Sequence, residues 1–181
     1  MATTTGEQYP GSASGVDRSG NNNWASPSNV TADDGSDASV TTPSDYLVCS
    51  NFGFAVPTDS TILGVIVRVQ IGETGSGDSE FVPQLISNTT PTLIGAAKSA
   101  VNVSGSTKVI KTSGNSSDVW SATLTPAIVN DAGFGVAIWS DDSGNDLLID
   151  YVTIEVWYEV GSFTGSANGG DFFFLLVEED G

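Results

Sequence analysis

The sequence predicts an all-β protein: an antiparallel β-sandwich, jelly-roll-like, with an extended N-terminal arm and a C-terminal tail. The chain has 181 residues, of which 39% are hydrophobic, and this is enough to build one domain with a core. Residues 65–71 and 152–158 alternate apolar side chains with period two, as half-buried strands do. Glycine, serine, threonine, asparagine and aspartate separate the apolar runs, which favours short strands joined by turns.

The composition divides the chain into three parts. Residues 1–23 are polar and glycine-rich, and they predict a flexible N-terminal arm because they bury too little apolar surface to become ordered alone. An arm that becomes ordered along a partner is the open alternative. Residues 24–160 are predicted to form the sandwich domain. Residues 161–181 combine a Gly/Ser/Asn linker, an apolar strand-like run and an acidic end.

Within the domain, a turn at residues 33–37 precedes a short strand at 38–42, and longer strands begin at Tyr46. Further strands are predicted at residues 81–87, 92–100 and 107–112. Residues 124–131 are the one helix-like segment, with Thr125 as the N-cap and Pro126 at the first helical position.

The last two strands, residues 134–139 and 147–158, are predicted to form a hairpin across the acidic turn 141–146. We expect the apolar faces of 65–71 and 152–158 to meet between two sheets. The predicted core residues are Val65, Val67, Val69, Val152, Ile154 and Val156.

Residues 51–70, 134–139 and 149–158 carry a family resemblance. Their pattern of Phe-Gly-Phe, a proline turn and an alternating strand, followed by Phe-Gly-Val and a second alternating strand, resembles β-sandwich modules in minor structural proteins of tailed bacteriophages. The resemblance spans residues 45–158. It implies a virion structural protein without catalytic activity.

The charge excludes one class of function. The net charge is −17, from 22 acidic and 5 basic side chains, and the basic residues do not cluster. Sequence-independent binding to nucleic acid is therefore excluded as a main role, since it needs clustered lysine and arginine. For a virion protein, the sign favours the outer surface over contact with packaged DNA.

No membrane association is predicted, because no stretch approaches the ~20 apolar residues of a spanning helix. The first residues lack the charged and apolar segments of a secretory signal. We expect synthesis in the host cytoplasm.

Catalytic side chains are scarce. The chain has no histidine and a single cysteine, Cys49, which excludes Ser-His-Asp and Cys-His catalysis and the usual zinc sites. No cofactor is predicted. An enzyme with paired carboxylates, drawn from Asp141, Asp142, Asp146 or Asp150, is the third-ranked hypothesis. Cys49 lies in an apolar run and is predicted to be a buried packing residue.

Two groups of acidic residues in turns offer oxygen ligands of the kind that Ca²⁺ prefers. The candidate metal ligands are Asp33, Asp34 and Asp37 in one group, and Asp141, Asp142, Asn145 and Asp146 in the other. Neither group has the spacing of an EF-hand loop, so solvated turn residues are the default interpretation.

Two tryptophans, Trp139 and Trp157, are predicted on strand faces opposite the core. They are expected to cover a second hydrophobic layer, to pack at a subunit contact or to stack on a glycan.

The apolar run near the C-terminus is too short for a membrane span and too apolar to stay in water. Its residues are the predicted partner-binding residues: Phe172, Phe173, Phe174, Leu175, Leu176 and Val177. We expect the run to add a strand to another molecule. The alternative is an edge strand of its own domain.

Together these features predict a non-enzymatic phage virion protein, a capsid decoration (cement or auxiliary) protein on the outer capsid surface. The expected partners are the major capsid protein or other virion proteins, and the expected state is a homo-oligomer, a trimer. The alternative is a tail- or fibre-associated glycan-binding adhesion module, in which exposed tryptophans carry the function.

Overall fold

The computed structural model describes residues 1–75, 78–143 and 145–161. These residues form ten strands, the single-turn helix α1 and a 3-10 turn at Pro27–Val30. The strands are β1 (Ala2–Thr4), β2 (Ser12–Val16), β3 (Ala38–Thr41), β4 (Tyr46–Ser50), β5 (Ser60–Glu73), β6 (Asp78–Ile86), β7 (Val101–Ser104), β8 (Val109–Asn115), β9 (Gly135–Trp139) and β10 (Asp146–Val160), and α1 is Pro126–Val129.

The strands form two five-stranded sheets around one hydrophobic core. The first sheet has the order β1-β10-β5-β8, with β3 also paired to β10, and the second has the order β2-β4-β9-β6-β7. Each of these strand pairs is antiparallel. The prediction of an all-β antiparallel sandwich is confirmed.

The two alternating strands, β5 and β10, are neighbours in one sheet. Val67 lies opposite Ile154 and Val69 opposite Val152, and all four side chains are buried. The prediction that their faces meet across the core is wrong. Side-by-side pairing gives the two longest strands, of 14 and 15 residues, a long hydrogen-bonded ladder with two register shifts in β10. The second sheet supplies the opposing core layer, including Leu47, Phe81, Leu85 and Ile138.

The predicted hairpin of the last two strands is also wrong. β9 pairs with β4 and β6 in the second sheet, whereas β10 pairs in the first sheet. The segment between them therefore crosses from one sheet to the other. β9 is buried along its whole length, as expected for a central strand.

The N-terminal residues differ from the predicted flexible arm. β1 pairs with β10, β2 pairs with β4, and Gln8 exchanges backbone hydrogen bonds of 2.9 and 3.0 Å with Ile154. The segment becomes ordered on sheet edges of its own domain, where backbone hydrogen bonds compensate for the small apolar area that it buries. The sandwich therefore begins near residue 2 and not at residue 24.

The predicted helix is confirmed in position, but it is shorter than predicted and spans Pro126–Val129. The Thr125 hydroxyl accepts a hydrogen bond from the Ile128 amide at 3.3 Å. Directly after the helix, the Asn130 amide bonds both the N–H and the carbonyl of Val56, at 2.9 and 2.8 Å. This side chain fixes the loop that leads into β5. Within the described ranges, no helix has the length and apolarity needed to cross a membrane.

Candidate functional site

The first predicted calcium group already faces a cation. The ammonium of Lys108 lies 2.7 Å from the Asp37 carboxylate and 3.1 Å from that of Asp150. Burial lowers the pKa of Lys108, but the hydrogen bonds to Asp37 and Asp150 outweigh it and hold the pKa above its ordinary value. Asp34 accepts the Ser36 amide as a turn residue. Lys108 therefore supplies the positive charge beside Asp37 and Asp150.

The residues of the second predicted group have separate partners. Asp141 pairs with Arg18 and accepts a hydrogen bond from the Trp139 indole at 3.0 Å. Asp142 accepts the Ser143 amide, and Asp146 accepts the Thr41 hydroxyl at 2.6 Å. In the described part of the chain, no three acidic, cysteine or histidine side chains are placed to hold a metal ion together.

The thiol of Cys49 is free and fully buried, and burial raises its pKa. A thiol in this environment is a packing residue and not a nucleophile. The partner-binding residues predicted at 172–177 lie outside the described residues.

The four tryptophans have two different roles. Trp24 and Trp120 belong to the core, where their indoles donate hydrogen bonds of 2.9 Å to the carbonyls of Asp45 and Val65. Trp139 and Trp157 lie at outward-facing strand positions. Trp139 is opposite Val82 in β6, and Trp157 is opposite Gly64 in β5.

Trp139 does not present an open ring to solvent. The Arg18 guanidinium lies 5.3 Å from the Trp139 ring centre and 5.6 Å from that of Tyr46, which contacts Trp139 edge to face at 5.3 Å. Asp141 neutralises the arginine. Only 8% of Trp139 is exposed, so a sugar ring has no access to its faces while Arg18 stays in place.

A cleft of about 300 Å³ lies at one end of the sandwich, between β1 and the loop before β5. We call it the Tyr158 cleft, and it is lined by Thr4, Thr5, Gln8, residues 53–55 and Tyr158. Tyr158 lies opposite Ile62, next to a register shift in β10, and packs partly against the core. The other part of its ring is left for the cleft.

Both walls of the Tyr158 cleft are held in place. Phe54 stacks on Phe52 with ring centres 5.7 Å apart and contacts Phe134 at 6.1 Å. On the opposite wall, the Thr4 hydroxyl donates to Glu155 at 2.7 Å, and the Gln8 amide donates to the Thr5 carbonyl at 3.3 Å. The cleft is thus built from two segments that are tied to the sandwich.

The sequence does not indicate this cleft, because composition predicts a flexible arm for the residues that include Thr4, Thr5 and Gln8. The one available signal is the β-branched run of threonines at residues 3–5, which has strand propensity. The position of Phe54 against β1 follows from tertiary packing that no local pattern encodes.

A second, open cleft of about 580 Å³ separates the edges of the two sheets. We call it the lysine cleft, and it is lined by residues 98–102 and 111–114. Lys98 pairs with Asp118, and its ammonium lies 4.7 Å from the ring centre of Trp120. Lys111 is the one basic side chain that makes no ion pair within the described residues. Two of the five basic side chains of the protein line this cleft.

No family model and no curated protein sequence matches the chain. Among solved structures, it is similar to the CBM22-1 xylan-binding domain of Paenibacillus barcinonensis Xyn10C, with 11% identity, a TM-score of 0.45, and coverage of 86% of this chain and 95% of that one. It is also similar to the CBM22-1–GH10 modules of Clostridium thermocellum xylanase 10B, solved with xylohexaose, with 18% identity and a TM-score of 0.41. That match covers 90% of this chain but 28% of the longer one. Similarity at this level does not establish a shared function, and the virion role stays a prediction.

Proposed function

We propose that the protein is a non-catalytic binding module that holds a neutral carbohydrate in the Tyr158 cleft. The observation that carries this proposal is the combination of an aromatic ring, an amide and hydroxyl groups in one cleft: Tyr158 with Gln8 and two threonines, beside the edge of the buried Phe54. Small-molecule sites join an apolar surface to a few placed polar groups in this way.

The lining matches the chemistry of a sugar. A sugar ring presents C–H groups on its faces and hydroxyls at its rim. Tyr158 offers both an apolar ring and a polar tip. A primary amide has two donors and one acceptor, and Gln8 uses one donor inside the protein, so further hydrogen bonds are available for ligand hydroxyls.

The uncharged lining favours a neutral ligand, and it favours binding without catalysis. None of the described lining residues is an aspartate, glutamate, lysine or arginine. A net charge of −17 also opposes an acidic glycan. Hydrolysis of a glycoside needs two carboxyl groups at the bond that is cleaved, and the lining of this cleft offers none.

Calorimetric titration with a panel of neutral oligosaccharides, based on xylose, glucose and mannose, tests the proposal. We expect at least one member to bind, and Tyr158→Ala to weaken that binding at least tenfold. Tyr158→Phe keeps the ring and removes the hydroxyl, so it should weaken binding less. Gln8→Ala should weaken it several-fold through lost hydrogen bonds.

Tyr9→Ala is the matched control, because Tyr9 lies on the same N-terminal segment but does not line the cleft and contacts Tyr151 instead. Each variant is checked for an unchanged circular dichroism spectrum. The proposal fails if no neutral oligosaccharide binds. It also fails if folded Tyr158→Ala and Gln8→Ala proteins both bind as tightly as the wild type.

A further inference from the structure

We propose that the edge of β8 is the docking site for residues 172–180 of the same molecule. In this arrangement the apolar run 172–177 adds a strand to the first sheet, and the acidic residues that follow it reach the lysine cleft. This interaction surface is separate from the Tyr158 cleft and does not depend on its ligand.

β8 is open to an additional strand. It is the last strand in the order β1-β10-β5-β8, and in the described structure it pairs on one side only, with β5. Its other edge therefore presents backbone N–H and C=O groups that an added strand satisfies. Residues 98–102 lie across the cleft and leave this edge accessible.

The surface of β8 also suits an apolar partner. Val109 and Ile110 are 43% and 54% exposed, and they are adjacent on this strand. The other exposed large hydrophobic residues in the described ranges are Met1, Tyr9 and Val160, and of these only Met1 is more exposed than Val109. The side chains of Val109 and Ile110 point to opposite faces of the sheet, so an added strand of phenylalanine, leucine and valine places an apolar neighbour beside each of them.

The charges are complementary. Glu178, Glu179 and Asp180 directly follow the apolar run. Lys111 projects from β8 into the cleft and makes no ion pair with any described residue, and Lys98 lies across from it. In a chain of net charge −17, two lysines in the lining, one of them paired with Asp118, reduce the repulsion that an acidic segment meets in this cleft.

Residues 162–171 are long enough to connect Gly161 with the C-terminal end of β8. Gly161 donates its amide to the Asp59 carbonyl at 3.2 Å, so the described chain ends beside the start of β5. Asn115, the last residue of β8, lies opposite Val65 on β5. From strand spacings, the start of an added strand beside Asn115 is about 25 Å from Gly161. The ten residues 162–171 span up to about 33–36 Å when extended.

This path also fixes the direction. A segment that enters beside Asn115 and continues toward Val109 runs antiparallel to β8. The acidic residues then arrive near the N-terminal half of β8, where Lys111 lies. Tethering to the same molecule favours this pairing over exchange between molecules, because the local concentration of a tethered segment reaches the millimolar range.

Hydrogen exchange on the full chain tests the added strand. In Phe174→Pro the run loses a backbone donor and cannot pair as a regular strand. We expect the β8 amides that point away from β5 to exchange at least tenfold faster than in the wild type. Ala167→Pro, in the linker, is the matched control and should leave their exchange unchanged. Equal β8 exchange in wild type and Phe174→Pro overturns the proposal.

Carbodiimide cross-linking tests the contact between Lys111 and the acidic residues, and whether it forms within one molecule. We expect a link between Lys111 and one of Glu178, Glu179 or Asp180, lost in Lys111→Gln. In an equimolar mixture of ¹⁴N- and ¹⁵N-labelled protein, the link should join peptides of one label only. Links between the two labels overturn the proposal in favour of exchange between copies, and the absence of any link to Lys111 overturns it outright.

Discussion

The Trp120 indole donates a hydrogen bond of 2.9 Å to the carbonyl oxygen of Val65, and Gly114 lies against both groups. Gly114 has a φ of +76°, and a Cβ there would lie 2.6 Å from the Trp120 nitrogen and closer still to the Val65 oxygen. Trp120 therefore packs directly against Gly114, a position that has no room for a side chain.

Gly114→Ala should therefore destabilise the protein by about 3 kcal/mol or more, because it combines a left-handed backbone with a clash against backbone. Gly105→Ala is the matched control. Gly105 has a φ of +80° with nothing within 4 Å, so alanine there should cost only the backbone term of about 1–2 kcal/mol. Chemical denaturation of both variants measures the difference, and equal stabilities would contradict the steric argument.

The pair formed by Val67 and Ile154 gives a second stability prediction. Both side chains are fully buried and lie opposite each other in neighbouring strands. Val67→Ala or Ile154→Ala should lower the free energy of unfolding by about 1–3 kcal/mol, through lost burial and a residual cavity. Thr61→Ala, at an exposed position of β5, should change it by no more than about 0.5 kcal/mol. Wild-type stability of both core variants would show that these strands do not form the core.

The sequence predicted the inward faces of β5 and β10 because a period of two is a local property of a strand. It did not predict that Val67 and Ile154 are side by side, since the alternation is the same for strands in one sheet or in facing sheets. The hairpin prediction for β9 and β10 failed for a related reason. Chain proximity favours a hairpin, but burial on both faces places β9 in the centre of the second sheet.

The sequence pattern predicts less of the Tyr158 cleft than of the core. Tyr158 was recognised as a strand residue, but its cleft also needs Gln8, more than one hundred residues away in the chain. Gln8 is held there by backbone hydrogen bonds to Ile154, which depend on no side-chain pattern. Composition indicated disorder for this segment because it measures apolar burial and not the availability of a sheet edge.

Acid should weaken the contact between Asp118 and Lys98. Burial raises the pKa of Asp118, but the hydrogen bonds from Lys98 and the Trp120 amide outweigh it and hold the pKa below its ordinary value of 3.8. The carboxylate thus stabilises the folded state fully above that value, and the contribution is lost as the pH falls through the lower folded-state pKa. In Asp118→Asn, this part of the acid dependence of the melting temperature should disappear. An unchanged acid profile would contradict the assignment.

Alkali should act on Lys108 with the opposite sign. Because its folded-state pKa is raised above the ordinary 10.5, the ammonium stabilises the fold fully below that pH, and the contribution is lost as the pH rises through the higher folded-state value. Lys108→Met should therefore lower the melting temperature at pH 8 and flatten the loss of stability at high pH. Thr61→Ala, at an exposed and uncharged position of β5, is the control and should leave the alkaline profile unchanged.

The same lysine determines how the protein responds to calcium. With the Lys108 ammonium 2.7 Å from Asp37 and 3.1 Å from Asp150, a divalent ion would have to displace a bound positive charge. We therefore expect the melting temperature of the wild type to be unchanged by millimolar Ca²⁺ or by a chelator.

In Lys108→Met the two carboxylates face each other without a counter-charge, and Asp150 is almost fully buried. Ca²⁺ should raise the melting temperature of this variant, because a hard cation restores the lost charge with the oxygen ligands that it prefers. The additional Asp37→Asn change should abolish that response. A wild-type protein stabilised by Ca²⁺, or a Lys108→Met protein indifferent to it, would show that the lysine does not occupy the cation position.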